Sequence, residues 1–356
     1  MKQSFIGVFS LVFLCTYSQT SNSYYQSIEG KKAAEIKTEL HKIIAADTIN
    51  NLSYGSGSSR KTWFGFYNAD RIEETNQVID MYSSILRYFA SDYVQRNYPG
   101  FGQELHIEHS FPKSWWGGHE WAAYKDLYHL YPADGPTNSS KNNYPLGVVV
   151  GNPVRDNGVS KLGKSNIEGY SDNVFEPADE YKGDFARSYF YVVTAYENYY
   201  RYWNSPMTNN NTYPVWKEWA VNLLLTWHRN DPVSEKELKR IEKVQSIQGN
   251  RNPFIDYPEL AEYIWGNKMD LFWTFATTAD KQTEYSFAVY PNPAKNYINI
   301  SNCPQNTTYE IYNISGSLTT SGVTNSQINV SELNSGYYIL VLKDKDKQFR
   351  LPIIIE

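Results

Sequence analysis

The stretch that decides the fold reads ELHIEHSFPKSWWGG and occupies residues 104–118. It contains a short strand pattern that ends in a loop, with two of the chain's six histidines placed three residues apart. Side chains alternate along a β-strand, so Glu108 and His109 are expected on opposite faces. Packing alone rarely requires a glutamate and histidines in this mixture. The strand is therefore interpreted as part of a chemical site.

A second segment, KDLYHLYPADGPTNSSKNNYPLG at residues 125–147, follows further along the chain. It begins as a short apolar strand and passes through a proline and a glycine into a short polar segment. A strand, a second strand and a short helix would bring Glu108, His109 and Asn138 together around one hard cation. Mg²⁺ suits such a site, as would Mn²⁺ or Ca²⁺, because it prefers oxygen ligands and often takes only one or two protein groups. A neutral imidazole next to that cation can accept a proton from water.

Zinc is the alternative metal, because four of the six histidines lie within residues 106–129. The sequence HEWAAY at residues 119–124 begins like the zinc-protease HExxH helix, but position 123 is alanine and the second imidazole is missing. A zinc site built from several of these histidines stays open, although neither a cysteine nor a regular spacing supports it.

Composition limits the classes of function. The formal net charge is −5, whereas a purely electrostatic nucleic-acid binder is expected to be basic. Contact with a polyanion would therefore need a local basic patch or a bound cation. Aromatic residues make up 16% of the chain, including 31 tyrosines and 10 tryptophans, which leaves a non-catalytic carbohydrate-binding or surface protein as the rival interpretation.

The N-terminus has the pattern of a secretory signal peptide, predicted over residues 1–18, with a lysine followed by a short apolar run. No other stretch is apolar and long enough to cross a bilayer, so no stable membrane insertion is expected. Removal of the signal leaves Cys303 as the remaining cysteine, which excludes an intramolecular disulfide.

Periodicity predicts a mainly helical domain over residues 19–275. Amphipathic helices are predicted over residues 31–45 and 76–94, and a further helix begins at a capping box formed by Ser234 and Glu237. Residues 276–286 lose periodicity and are interpreted as a linker. Short alternating strands then predict a small antiparallel β-sandwich over residues 287–356. The predicted fold class is α+β.

Four motifs, in order, carry a resemblance to a known family. They are IEHSFPKSWW, the segment at residues 125–147, FEPADEYKGDFARSYFYV at residues 175–192 and QGNRNPFIDYPELAEYIW at residues 248–265. Together they resemble the endonuclease I family of secreted nucleases, which have a ββα-metal (His-Me finger) core, and the resemblance spans residues 24–266. It implies metal-dependent cleavage of DNA, and in many members also of RNA, with little sequence preference and 5′-phosphate products. It implies His109 as the general base, with Glu108 and Asn138 as metal ligands.

Other candidate site residues surround these three. Lys113, Lys141, Asn143 and Arg155 are candidate substrate contacts, of which Lys141 replaces the arginine of the family's N-x-x-R-x-N pattern and so loses the bidentate fork. The family's D-L-H pattern appears here as Asp-Leu-Tyr, followed by histidine. Asp126 and His129 are predicted to support the site through hydrogen bonds to its central residues. Plain packing is the alternative for His129.

The C-terminal segment resembles the sorting domain of the type IX secretion system. The motifs are VYPNPAKNYINI at residues 289–300, IYNISG at residues 311–316 and VSELNSGYYIL at residues 330–340. This resemblance implies export through the type IX machinery to the cell surface or medium. An accessory sandwich, such as a sugar-binding one, is the alternative.

Overall fold

The chain forms two compact units, Met1–Phe275 and Ala276–Glu356. Helices and small antiparallel sheets occur together, so the class is α+β as predicted. The predicted signal peptide and linker lie outside the described residues. The computed structural model describes residues 23–46, 52–56, 60–89, 105–275, 289–301, 303, 306–313, 316–344 and 347–356.

Helices dominate the first unit. They are α1 (Ala33–Ala46), α2 (Thr62–Ala69), α3 (Gly135–Lys141), α4 (Asp179–Ala195), α5 (Glu218–Asn230), α6 (Glu235–Gln248), α7 (Pro253–Asp256) and α8 (Leu260–Trp265), with 3-10 helices at Gln26–Ile28, Lys113–Trp116, Ala122–Lys125 and Glu197–Tyr202.

Two of the predicted helices form as expected. Helix α1 buries Ile36, Leu40 and Ile44, which recur every fourth residue and therefore share one face. Helix α6 begins at the predicted capping box, in which the Ser234 hydroxyl accepts from the Glu237 amide while the Glu237 carboxylate accepts from the Ser234 amide.

The prediction of a helix over residues 76–94 is wrong for residues 76–89, the part of this range that the structure describes. Asn76 has a left-handed φ of 60° and lies in the turn of a two-stranded hairpin. Beyond the hairpin, the Asp80 carboxylate accepts hydrogen bonds from the Tyr82 amide, the Ser83 hydroxyl and the distant Asp134 amide. A carboxylate that binds nearby backbone in this way offers an alternative to helical hydrogen bonding.

The described part of the first unit also contains three small antiparallel sheets. The hairpin joins β1 to β2, a second pair joins β3 to β4, and a three-stranded sheet has the order β5-β6-β7. The strands are β1 (Arg71–Ile72), β2 (Gln77–Val78), β3 (Leu105–His109), β4 (Leu130–Asp134), β5 (Arg155–Asp156), β6 (Lys161–Lys164) and β7 (Asn173–Glu176).

Much of the aromatic content is interior. Tryptophans and tyrosines such as Trp116, Trp203 and Tyr189 are at most 2% exposed and pack against each other in the core of the first unit. Buried ion pairs join its helices, as where Arg187 of α4 meets Glu237 of α6 at 2.5 Å. The described part of the chain contains no helix with the length and hydropathy to cross a bilayer.

The second unit consists of two antiparallel sheets with one apolar core between Ile298, Ile328, Ile311, Leu340 and Ile353. The larger sheet has the order β11-β10-β13-β14 and the smaller one β12-β9-β8. The strands are β8 (Val289–Tyr290), β9 (Tyr297–Ile300), β10 (Thr307–Asn313), β11 (Leu318–Thr324), β12 (Gln327–Asn329), β13 (Gly336–Asp344) and β14 (Lys347–Ile355).

A buried histidine makes the stability of the first unit depend on pH. His228 Nε2 lies 2.9 Å from the Pro258 carbonyl oxygen, and Nδ1 lies 3.4 Å from an Arg187 nitrogen. Burial, with the charge of Arg187, lowers the pKa of His228 to about 4. The unfolded chain then binds a proton that the folded chain does not, so stability falls as the pH drops from about 6.5 towards 4.

We expect His228→Gln to remove roughly 2–3 kcal/mol of this pH-dependent loss. Urea unfolding of both proteins at pH 7 and at pH 4.5 measures it, with exposed His119→Gln as the matched control. An unchanged pH dependence in His228→Gln would contradict the assignment.

Candidate active site

The candidate site lies where β3, β4 and α3 meet. Strands β3 and β4 are antiparallel, with Glu108 opposite Tyr131 and His109 opposite Leu130. Helix α3 follows β4 directly because Asp134 ends the strand and caps the helix, its carboxylate accepting from the Thr137 amide at 2.8 Å. A pocket of about 290 Å³ opens between strand and helix, and its lining includes Glu108, His109 and Asn138.

Glu108 is buried, with 4% of its surface exposed. Lys141 Nζ lies 2.8 Å from its Oε1, and the Tyr82 hydroxyl donates to the same oxygen at 2.8 Å. Burial raises the pKa of Glu108, while Lys141 and Tyr82 limit that rise. Both contacts engage Oε1, and Glu108 is among the residues that line the pocket.

His109 contacts a different set of groups from Glu108. Its Nε2 lies 3.0 Å from the Tyr124 carbonyl oxygen, which can only accept, so Nε2 carries the proton and Nδ1 has the lone pair. Burial, reinforced by the neighbouring His129, lowers the pKa of His109 to about 3. The imidazole is therefore neutral at physiological pH and can accept a proton.

Aromatic rings surround this imidazole. Tyr124 stacks on His109 at a centroid distance of 5.0 Å, and Tyr54 stacks on Tyr124 at 4.2 Å. The Lys113 ammonium lies 4.3 Å from the centre of the Tyr124 ring. These contacts restrict the orientation of the imidazole plane.

Asn138 lies on α3, with its side-chain nitrogen 3.5 Å from Nδ1 of His106. That contact leaves the amide oxygen, the atom that hard cations prefer, unengaged by His106. His106 itself lines the pocket together with Asn138.

The structure brings only some of the predicted substrate contacts to the pocket. Lys113 and Asn143 line it, whereas exposed Arg155 on β5 does not. Lys141, predicted as a phosphate contact, is fully buried against Glu108. The physical reason is the burial of Glu108, which needs an internal counter-charge.

The two predicted supporting residues lie behind the site. His129 is buried beside His109, with ring centroids 5.7 Å apart, and its Nε2 lies 2.6 Å from the Ala123 carbonyl oxygen. The Asp126 carboxylate accepts hydrogen bonds from Tyr191 and Tyr196, and its backbone oxygen accepts from the amide of Leu130 where β4 begins. Asp126 thus fixes the turn that leads into the site.

Sequence reasoning missed Tyr82, Tyr54 and Tyr124 as neighbours of the two central residues. Tyr124 lies only fifteen residues after His109 in sequence, but its carbonyl and ring contact the imidazole through a fold that no local pattern specifies. Tyr82 falls in the segment wrongly predicted as helix. An aromatic-rich chain also offers no signal that separates these tyrosines from core ones.

The donor groups present fit a hard divalent cation. Mg²⁺ prefers oxygen ligands and usually takes one or two protein groups, with water and phosphate completing its coordination shell. A Glu108 carboxylate oxygen and the Asn138 amide oxygen are ligands of this type. Within the ranges that the structure describes, no group of three or more His, Cys, Asp or Glu side chains is placed to hold a metal. The zinc alternative built from several histidines therefore finds no support among these residues.

Comparison with known proteins assigns both parts of the chain. The Endonuclease I family matches residues 32–259, and a secretion system C-terminal sorting domain matches residues 288–356. An extracellular ribonuclease of Bacillus amyloliquefaciens is 34% identical over 257 residues, which is 70% of this chain and 80% of the relative.

Two further relatives also have the names of nucleases. An extracellular ribonuclease of Bacillus subtilis is 31% identical over 255 residues, again 70% of this chain and 80% of the relative. Endonuclease-1 of Buchnera aphidicola is 25% identical over 131 residues, covering 36% and 44% of the two chains. A solved structure of PorZ, a surface component of the type IX secretion system of Porphyromonas gingivalis, aligns with 20% of this chain and 11% of that one at 16% identity and a TM-score of 0.18, a likeness too low to support any argument.

The sorting domain and the extracellular relatives indicate that the protein is secreted. The family match covers most of the first unit and includes Glu108, His109 and Asn138. The chain belongs to the endonuclease I family of nucleases and carries a C-terminal secretion sorting domain.

Proposed function

We propose that the protein is a secreted, divalent-metal-dependent endonuclease that hydrolyses phosphodiester bonds of DNA and RNA to 5′-phosphate products. His109 is the general base, and Glu108 and Asn138 hold one ion, Mg²⁺ or a cation of similar preference, in a ββα-metal arrangement. The observation that carries the proposal is the neutral His109 imidazole, whose Nε2 proton is held by the Tyr124 carbonyl beside the Glu108 carboxylate.

The chain's own residues prepare the proton transfer. The Tyr124 carbonyl fixes the tautomer of His109, so Nδ1 accepts the proton of a water that attacks phosphorus. Lys141 and Tyr82 keep Oε1 of Glu108 in place and leave Oε2 for a ligand. A divalent cation, when bound, stabilises the charge that develops on the phosphorus centre and on the leaving 3′-oxygen.

The substrate class follows from the nucleophile. Attack by water does not use the ribose 2′-hydroxyl, so this chemistry serves both DNA and RNA, and departure of the 3′-oxygen with the water proton leaves the phosphate on the 5′ carbon. Relatives carry the names ribonuclease and endonuclease, which supports a nucleic-acid substrate and, through the ribonucleases, RNA. The sorting domain supports export by the type IX machinery. The burial of so many aromatic rings weakens the rival carbohydrate-binding interpretation.

Replacement of the base tests the mechanism. We expect His109→Ala to lower kcat by about 10²–10⁴-fold on plasmid DNA and on RNA, because the attacking water loses its proton acceptor. The measurement is initial rates with Mg²⁺ and with chelator, alongside unfolding curves that establish intact folding. Exposed His119→Ala is the matched control and should keep full activity. Equal activity of the two variants would refute the role of His109.

The metal role of Asn138 has its own test. We expect Asn138→Ala to raise the Mg²⁺ concentration needed for half-maximal activity about ten-fold or more, since a lost ligand weakens binding. Binding of Mn²⁺ to the purified chain gives a second readout that does not depend on turnover. Ser139→Ala, one residue on and also lining the pocket, should leave both values unchanged. An unaltered titration for Asn138→Ala would remove it from the ligand set.

Of the predicted substrate contacts that line the pocket, Lys113 is the one with a positive charge, which suits a phosphate group. Loss of one phosphate contact should lower the slope of log affinity against log salt by about 0.7 on a single-stranded nucleic acid. We expect this change in Lys113→Gln, with binding of a single-stranded oligonucleotide to the His109→Ala background as the measurement. Lys164→Gln, an exposed lysine outside the pocket, is the control, and an equal change there would show that the effect is general.

A further inference from the structure

The larger sheet of the second unit has one face in the core and one face outside. Along β13, Tyr338, Leu340 and Leu342 point to the core, so the alternate residues Tyr337, Ile339, Val341 and Lys343 point outward. The register extends this outer face across the sheet, because Ile339 pairs with both Tyr312 of β10 and Pro352 of β14.

One end of this outer face is apolar and exposed. The exposed fractions are 67% for Tyr337, 54% for Leu318 and 40% for Ile339. Pro352 is also exposed, and Ile354, opposite Tyr337, is half-buried. We name these five residues the outer patch. Contiguous apolar surface on a soluble protein marks an interaction site.

The other end of the same face is built differently. Val341 also points outward, yet only 3% of it is exposed. Its register partners are Glu310 and Arg350, whose long side chains can cover it. Lys343 pairs with Glu310 at 2.7 Å. The sheet therefore shields its outward apolar residue at one end and leaves the outer patch uncovered at the other.

Pairing of a partner strand along the end of β14 is blocked by the chain itself. The Asn292 side chain accepts from the Ile354 amide and donates to the Pro352 carbonyl, and the Ala294 amide donates to the Ile354 carbonyl. Residues 292–294 thus occupy the backbone groups that a strand edge would offer. A partner at this end of the sheet has to contact its face.

We propose that the outer patch is the surface by which the export machinery binds this chain. The proposal is independent of the nuclease activity and rests on the match of residues 288–356 to a secretion sorting domain. A mixture of tyrosine and aliphatic side chains on a rigid sheet is typical of the core of a protein interface. Glu310 and Lys343 offset each other, and exposed Arg350 and Glu356, which lie on either side of Pro352 and Ile354 in the chain, give the rim one charge of each sign. The occupant is therefore a protein surface of the export machinery with an apolar centre and a rim that carries both signs of charge.

The test is export of the full chain from a bacterium that has a type IX system. We expect Tyr337→Ser combined with Ile339→Ser to reduce the amount in the medium at least ten-fold, with the chain retained in the cells. Tyr297→Ser is the matched control, because this tyrosine is 49% exposed but lies on β9 of the smaller sheet. Export is measured by immunoblot, so the result does not depend on nuclease activity.

Further variants separate binding from folding. Tyr337→Phe combined with Ile339→Val keeps the outer patch apolar and should preserve export, so a loss confined to the serine variant reports on the patch chemistry. Equal export of the Tyr337→Ser/Ile339→Ser variant and wild type, or an equal loss in Tyr297→Ser, would overturn the proposal. Binding of the purified chain to phosphatidylcholine–phosphatidylglycerol vesicles that requires Tyr337 would overturn it too, by assigning the patch to a membrane surface.

Discussion

A buried carboxylate sets the main constraint on the first unit. Glu108 lies in the interior wall of the pocket, and an unpaired charge there would be strongly destabilising. The counter-charge comes from Lys141 at the end of α3 and a hydrogen bond from Tyr82 in the loop after β2. One carboxylate oxygen therefore joins three separate segments. Loss of one partner would leave a buried charge uncompensated, so the strand and the helix are tied to one relative position.

The same arrangement gives two neighbouring residues different surroundings. Glu108 and His109 are adjacent in sequence, but strand alternation gives them separate environments, one ionic and one aromatic. The aromatic side is served by the short helix Ala122–Lys125, whose consecutive carbonyls at Ala123 and Tyr124 accept from His129 and His109. Because the His109 imidazole is neutral, it forms no ion pair with the adjacent Glu108 carboxylate. Each of the two side chains therefore keeps its own partners.

The sequence predicted those features whose causes are local. Helix α1 follows from apolar residues every fourth position, and α6 follows from the Ser234–Glu237 box. The succession of β3, β4 and α3 could be read from alternation and from the proline and glycine between them. The segment at residues 76–89 could not, because Asp80 binds Asp134 far along the chain. The position of Lys141 was missed for a related reason, since its burial depends on how α3 packs on β3.

The acidic net charge argues against a nucleic-acid substrate only if charges far from the site affect it. The net charge sums over the whole chain, and salt screens most of those distant charges. Surface charges separated by more than about 8–10 Å hardly affect each other at physiological ionic strength. Among the residues that line the pocket in the described part of the chain, Glu108 is the one acidic side chain, and Lys141 already neutralises it. Lys113, which also lines the pocket, is paired with Glu120 at 3.1 Å and adds no net charge. A divalent cation on Glu108 would therefore make the pocket clearly positive, and a phosphodiester would meet that local charge whatever the sum over the chain.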